Sequence, residues 1–207
     1  IIKDKSSFMI AGRRSYADIF LPLAPDETIQ NSKLFFYDLN LKANYELSDK
    51  DRLYVSGYFG RDVLGLSELF GINWGNATAT LRWNHLVNEK MFVNTSLVYS
   101  DFNYGVDINF ADNASFGLDQ SINDIYIKSD WTNFINQKSE LNFGGQVIYH
   151  RFNPGLFAPN NEESALIFTE IQIEKRKALE SGWYIDHEYK HSTRLNFRYG
   201  LRLSTFS

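Results

Sequence analysis

The chain contains no cysteine in 207 residues, only four prolines and two methionines, and no run near the ~18 consecutive apolar residues of a membrane helix. Without thiols there is no disulfide framework and no thiolate site. A mean hydropathy of -0.34 agrees that no segment crosses a bilayer as a helix. If the chain enters a membrane, it does so as strands, whose backbone groups must all pair and therefore close into a ring. A basic run is also missing, and the formal net charge of -4 lacks the electrostatic footprint of a nucleic-acid binder.

What the sequence does have is alternation and aromatic residues, the latter at 16%. From Tyr37 to Leu47, Tyr37, Leu39, Leu41, Ala43, Tyr45 and Leu47 share one parity, while Asp38, Asn40, Lys42, Asn44 and Glu46 share the other. Successive strand side chains point to opposite faces, so such a segment has one apolar and one polar face; a helix would scatter both sets around its axis. The same pattern recurs around Leu53–Phe59, Ala77–Trp83, Leu141–Tyr149 and Leu195–Leu203.

About nine strands are expected, near 7–16, 34–47, 52–63, 74–86, 91–105, 121–134, 140–152, 178–190 and 194–205. Short polar links (48–51, 87–90, 135–138 and 191–193) alternate with long ones (17–33, 64–73, 106–120 and 153–177), and all four prolines fall in the long links. Within 106–120, Val106, Ile108 and Phe110 keep a β pattern, so strands are expected to extend beyond the bilayer there. Tight turns at one end and long loops at the other are the pattern of a transmembrane β-barrel. The apolar parity carries Tyr37, Tyr45, Phe59, Trp83, Tyr99, Trp131, Tyr149, Trp183 and Tyr189, as aromatic girdles would. The expectation is that odd-numbered side chains meet lipid and even-numbered ones a wet bore, including Asp38, Lys42, Glu46, Arg82, Lys128, Asp130, Arg194, Arg198 and Arg202.

Nine strands would bring the first and last together in parallel, which is rare in barrels, so the 207 residues are expected to be one partial β-barrel domain of a longer chain. The start, Ile1-Ile2-Lys3-Asp4-Lys5, lacks the order of a secretory leader, and Phe206-Ser207 lacks the terminal aromatic residue expected of a finished barrel.

Several stretches resemble TonB-dependent outer-membrane receptors, in particular the SusC-like and related branch: Ser7–Tyr16, Tyr37–Lys42, Asp49–Asp62, Trp74–His85 and Leu195–Phe206. The resemblance implies a 22-stranded antiparallel up-and-down barrel in the outer membrane, enclosing a plug and importing a scarce nutrient such as a glycan, peptide or siderophore. It also implies outer-membrane lipid and the TonB complex as partners, the latter through the plug, with a surface lipoprotein as a further one. The plug, TonB box and amino-terminal domain have no counterpart in these residues. Two rivals are a structural or adhesive barrel without transport, and a soluble all-β carbohydrate-binding module, in which Leu39, Leu41, Leu53 and Val55 would fill a closed core.

Ligand contacts are expected from loop tips and upper strand ends, namely Trp74, Tyr104, His150 and Arg151. No cofactor, metal or catalytic residue is expected. His187-Glu188-Tyr189-Lys190-His191 matches the zinc-protease pattern, but that chemistry needs a helix to put both imidazoles on one face, and the flanks have strand periodicity. Asn76, Asn94 and Asn113 match glycosylation acceptors by chance spacing, Arg13-Arg14 reads as a solvated pair, and Asp107, Asp112 and Asp119 read as a solvated acidic loop rather than a calcium site.

Overall fold

The computed structural model describes residues 2, 5–67, 69–109 and 114–207. They form one antiparallel sheet in which each long strand pairs with its sequence neighbours. The strands are β1 (Ser6–Arg14), β2 (Lys33–Ser48), β3 (Asp51–Leu66), β4 (Phe70–Asn88), β5 (Met91–Asn109), β6 (Ser115–Asn136), β7 (Ser139–Pro159), the two-residue β8 (Ile171–Gln172), β9 (Arg176–Lys190) and β10 (Asn196–Phe206). β7 pairs with β9 directly, β8 lies off that path, and β1 and β10 are not paired with each other. The sheet is therefore open, an up-and-down meander that has not closed.

Three expectations need correction. The segments 64–73 and 106–120 are not long loops: β3 and β4 pair as far as Leu66 and Phe70, and β5 and β6 as far as Asn109 and Ser115. Alternating apolar residues continue through both segments, so the ladder outruns the tight-turn logic. The expected loop 153–177 is also partly structured, since β7 runs to Pro159 and the helix α2 (Glu162–Ile167) and β8 follow. Third, the odd-parity rule fails in β1, where Phe8 faces Ala43, Ile10 faces Leu41 and Gly12 faces Leu39, so its even-numbered side chains share the apolar face.

From β2 to β10 the register holds the parity, except at the loop end of β7 beyond a bulge at Pro154 and Gly155. Cross-strand partners point to the same face, and the ladder Ala43, Val55, Leu81, Leu97, Ile127, Val147 crosses six strands. All nine expected girdle aromatics lie on this face. Trp183 lies flat over Gly145, where a Cβ would meet its ring at 2.3 Å, so this glycine makes room for the indole. Among the described residues no second layer covers the face. Leu39 is 49% exposed, Leu41 40% and Val55 42%, and Leu53 is only half-buried, which contradicts the closed core that a soluble module requires.

The opposite face carries Asn40, Tyr58, Thr78, Ser100, Asp124 and His150 in one row, and Asn44, Tyr54, Arg82, Ser96, Lys128 and Gln146 in another. Its charges are largely paired: Arg52 with Glu46 at 2.6 Å, Lys128 with Asp130 at 2.9 Å, Arg198 with Asp186 at 3.2 Å, and Arg13 with Asp38. Tyr184 Oη donates to Asp130 Oδ1 at 2.7 Å. A charged row of this kind needs water, whereas the middle rows of the other face are mostly apolar and aromatic, with small hydroxyls such as Thr95 and Ser129 among them.

Candidate functional site

Near the loop end the polarity of the two faces exchanges. On the face that is polar lower down, Leu34, Leu64, Ile72, Val106, Leu118 and Phe157 form a continuous cross-strand row from β2 to β7. The next row toward the loops is Leu66, Phe70, Ile108, Phe116 and Pro159. On the reverse side the same strand ends carry Arg61, Gly75, Asn103 and Ser121 in one row, and Gly65, Gly71, Asp107 and Gly117 in another. The exchange follows the boundary row Leu39, Phe59, Ala77, Asp101, Asn123, Arg151. β6 has 22 residues, which at ~3.3 Å each and ~40° of tilt project to roughly 53 Å, about twice the ~25 Å apolar band of a membrane barrel. The loop-end third thus has room to stand clear of a bilayer, and its apolar rows line the inside.

A bulge in β7 keeps them there. The register slips between Asp119 and Ser121, where Pro154 and Gly155 form an extra step and Gly155 takes φ +124°. Beyond this point odd-numbered Phe157 points to the side where even-numbered Phe152 pointed before. A Cβ on Gly155 would lie 2.8 Å from Leu118 Cδ1 and 3.0 Å from the Asp119 carbonyl oxygen, so both the backbone angle and the space require glycine.

Trp74 and Tyr104 are direct cross-strand partners, flanked by Asp62 on β3 and Gln120 on β6. Tyr104 and Gln120 belong to a cleft of about 520 Å³ that also includes Phe102, Ile122, Phe152 and Arg176. Phe102, Ile122, Phe152 and Arg176 are one cross-strand row. His150 stacks on Phe152 with ring centroids 5.4 Å apart, and its two nitrogens face Asp124 Oδ1 at 2.8 Å and Glu180 Oε2 at 3.7 Å. Three of the four expected contact residues, Trp74, Tyr104 and His150, therefore share this face.

Arg151 does not. As the strand neighbour of His150 it points to the opposite face, with its guanidinium carbon 5.6 Å from the Tyr149 ring centroid. Sequence alone placed it with His150 among the upper strand ends, but adjacent strand residues point to opposite faces. It also missed Phe102, Gln120, Phe152 and Arg176, although the apolar parity shift from Tyr99 to Phe102 in β5 was visible.

Loop 160–175 is tied down beside the apolar rows. Phe168 meets Phe116 and Phe157 edge-on, at 5.2 and 6.1 Å between centroids. Ser164, fully buried, accepts a hydrogen bond from the Ser115 amide at 2.7 Å through its hydroxyl. In the first loop, α1 (Glu27–Gln30) is capped by Asp26, whose carboxylate accepts from the Thr28 amide at 2.7 Å; this bond holds the Asp26 pKa below its ordinary 3.8.

The remaining motifs resolve structurally. His187 and Glu188 lie on β9; His187 contacts Ser139 Oγ at 2.6 Å and Tyr199 Oη at 2.7 Å, and Glu188 accepts from Asn196 on the other face. Asn76 and Asn94 are inside β4 and β5. Asp107 and Asp119 lie on β5 and β6, while Phe110, Asp112 and Asn113 fall outside the described residues. Arg13 and Arg14 point to opposite faces, the first paired with Asp38 and the second with Asp18. Among the described residues, no group of three His, Asp or Glu side chains is placed to hold a metal ion.

No protein-family model and no curated protein matches the sequence. Several solved structures match its fold, two of them as follows. The copper transporter OprC aligns with a TM-score of 0.68 and 11% identity over 85% of this chain and 30% of its own. BauA, the ferric preacinetobactin receptor from Acinetobacter baumannii, aligns with a TM-score of 0.61 and 11% identity over 88% of this chain and 36% of its own. The chain spans about a third of the length of either structure. At this identity the likeness shows the fold: the open sheet is a segment of β-barrel wall.

Proposed function

We propose that the chain is part of the barrel of a TonB-dependent outer-membrane receptor, and that its loop-end inner face is a vestibule where an organic nutrient first binds. One observation carries the reading: a single-layer sheet bares apolar side chains along one face and charges along the other, then exchanges the two beyond a membrane-sized band. Two of the matched proteins are named a copper transporter and a ferric preacinetobactin receptor, which supports transport rather than adhesion. Energised import needs a plug and TonB, both supplied by parts of the protein outside this segment, and a surface lipoprotein is a further partner. Trp74, Tyr104 and His150 are the contact residues of this reading; Arg151 is not one of them.

The test is uptake by cells producing the complete barrel with Trp74→Ala and Tyr104→Ala together. Loss of both rings removes aromatic area from the vestibule but not from the apolar band. Uptake is expected to fall at least tenfold, while heat-modifiable gel migration shows an intact barrel. Unchanged uptake by a correctly folded variant would remove these residues from the ligand path.

A further inference from the structure

We propose that Asn123, Arg151 and Lys177 form a notch on the lipid side of the rim that binds the phosphate of a lipid headgroup. This rests on the reading that the apolar face meets a bilayer. The three residues are consecutive cross-strand partners on β6, β7 and β9, so they stand side by side over two strand spacings, ~10 Å. Arg151 and Lys177 are both exposed, and the contact of Arg151 with Tyr149 fixes its guanidinium on the apolar side of the wall.

Their position on that wall is what gives them meaning. The row immediately below is Ile125, Tyr149, Leu179, wholly apolar or aromatic. On β9 the ten steps from Tyr189 to Leu179 project to ~25 Å along the membrane normal at ~40° of tilt, so Lys177 emerges where the hydrocarbon ends and headgroups begin. The same boundary row on β2 to β5 carries Leu39, Phe59, Ala77 and Asp101, with no cation, so the notch is local to β6, β7 and β9.

Their charge is also unspent within the protein. Arg13, Arg52, Lys128 and Arg198 on the wet face each have a carboxylate partner. Arg202 on the same face has none among the described residues, but a bore solvates it. Arg151 and Lys177 likewise form no ion pair among the described residues, yet they stand at the edge of hydrocarbon. Asp124, next to Asn123, and Glu180, three residues from Lys177, belong to the other face, where both meet His150, and Glu174, equally close to Lys177 in sequence, forms no ion pair with it among the described residues. Asp101, on the same row, borders the notch as the cross-strand partner of Asn123, and it stands two strands from Arg151 and three from Lys177. A phosphate monoester supplies the missing charge: a guanidinium binds two of its oxygens at once, an ammonium adds a point charge, and the Asn123 amide a neutral donor. The acyl chains of the same molecule would lie on Leu179, Tyr149 and the apolar row beneath, which free phosphate cannot use.

The experiment takes the complete barrel in detergent and counts bound lipid by native mass spectrometry, with diphosphoryl lipid A and its dephosphorylated form as probes. The wild type is expected to hold the phosphorylated lipid at least tenfold more tightly, and Arg151→Gln with Lys177→Gln together to abolish that preference. Equal binding of the two lipids by the wild type, or an undiminished preference in the double variant, overturns the proposal. So does displacement of the lipid by millimolar inorganic phosphate, which would make the notch a free-anion site. Quenching of Trp183 by brominated acyl chains tests the underlying reading separately: with quenching but no headgroup preference only the notch fails, and without quenching the lipid-facing assignment fails with it.

Discussion

At the scale of single residues, neighbours along a strand live in different solvents. Leu97, 49% exposed at mid-span, and Lys42, on the charged face, are both open to their surroundings, yet they answer oppositely to substitution. Leu97→Arg puts a cation into hydrocarbon and should cost ~2–4 kcal/mol of barrel stability, whereas Lys42→Ala gives up only a solvated charge and should change stability by less than ~0.5 kcal/mol. Urea unfolding of the complete barrel in lipid vesicles reads both; equal costs would contradict the two-solvent assignment. Asp26 gives a residue-scale test outside the strands. Because the Thr28 amide favours the ionised carboxylate, the folded pKa lies below 3.8, so the cap is fully present above that value and is lost as pH falls through the lower, folded one. The Thr28 amide resonance should move with a midpoint below 3.8; a midpoint at or above 3.8 would mean the cap does not form.

At the scale of elements, the long strands outlast the membrane and the loops fold back on them. Ser164 joins α2 to the start of β6 and is the fully buried residue of that contact. Ser164→Ala leaves the Ser115 amide without its acceptor, a loss of ~1–3 kcal/mol that should appear as faster hydrogen exchange at Ser115 and looser packing of Phe168, with the lower strands unaffected. Exchange unchanged at Ser115 would show that the loop is held by its aromatic contacts alone.

Strand identity was legible in the sequence because alternation over Tyr37–Leu47 or Leu195–Leu203 survives without any knowledge of partners. Where the strands stop was not legible. At Leu64–Gly71 alternation continues with the opposite sense, so a reader following the odd parity sees the pattern end where only its direction has changed, and at 106–120 the pattern of Val106 and Ile108 showed that strands run on but not how far. The β1 offset and the Gly155 bulge were hidden for a related reason: register is a relation between two strands, and no single segment contains it. Trp74, Tyr104 and His150 could be placed at the upper end from sequence, but sorting Arg151 from His150 required knowing which face lay inward.

At the scale of the whole molecule, the proposed function requires one sheet between two media, apolar outside and wet inside through the span, with the inside turning apolar above it. The four tryptophans sample this arrangement: Trp83, Trp131 and Trp183 lie on the apolar face of β4, β6 and β9, and Trp74 on the opposite face near the loop end. Single-tryptophan versions of the complete barrel, reconstituted in vesicles with brominated acyl chains, test the assignment most directly. Strong quenching of Trp83, Trp131 and Trp183 with little quenching of Trp74 is the predicted result; Trp74 quenched as strongly as the other three, or none of the four quenched, would contradict it.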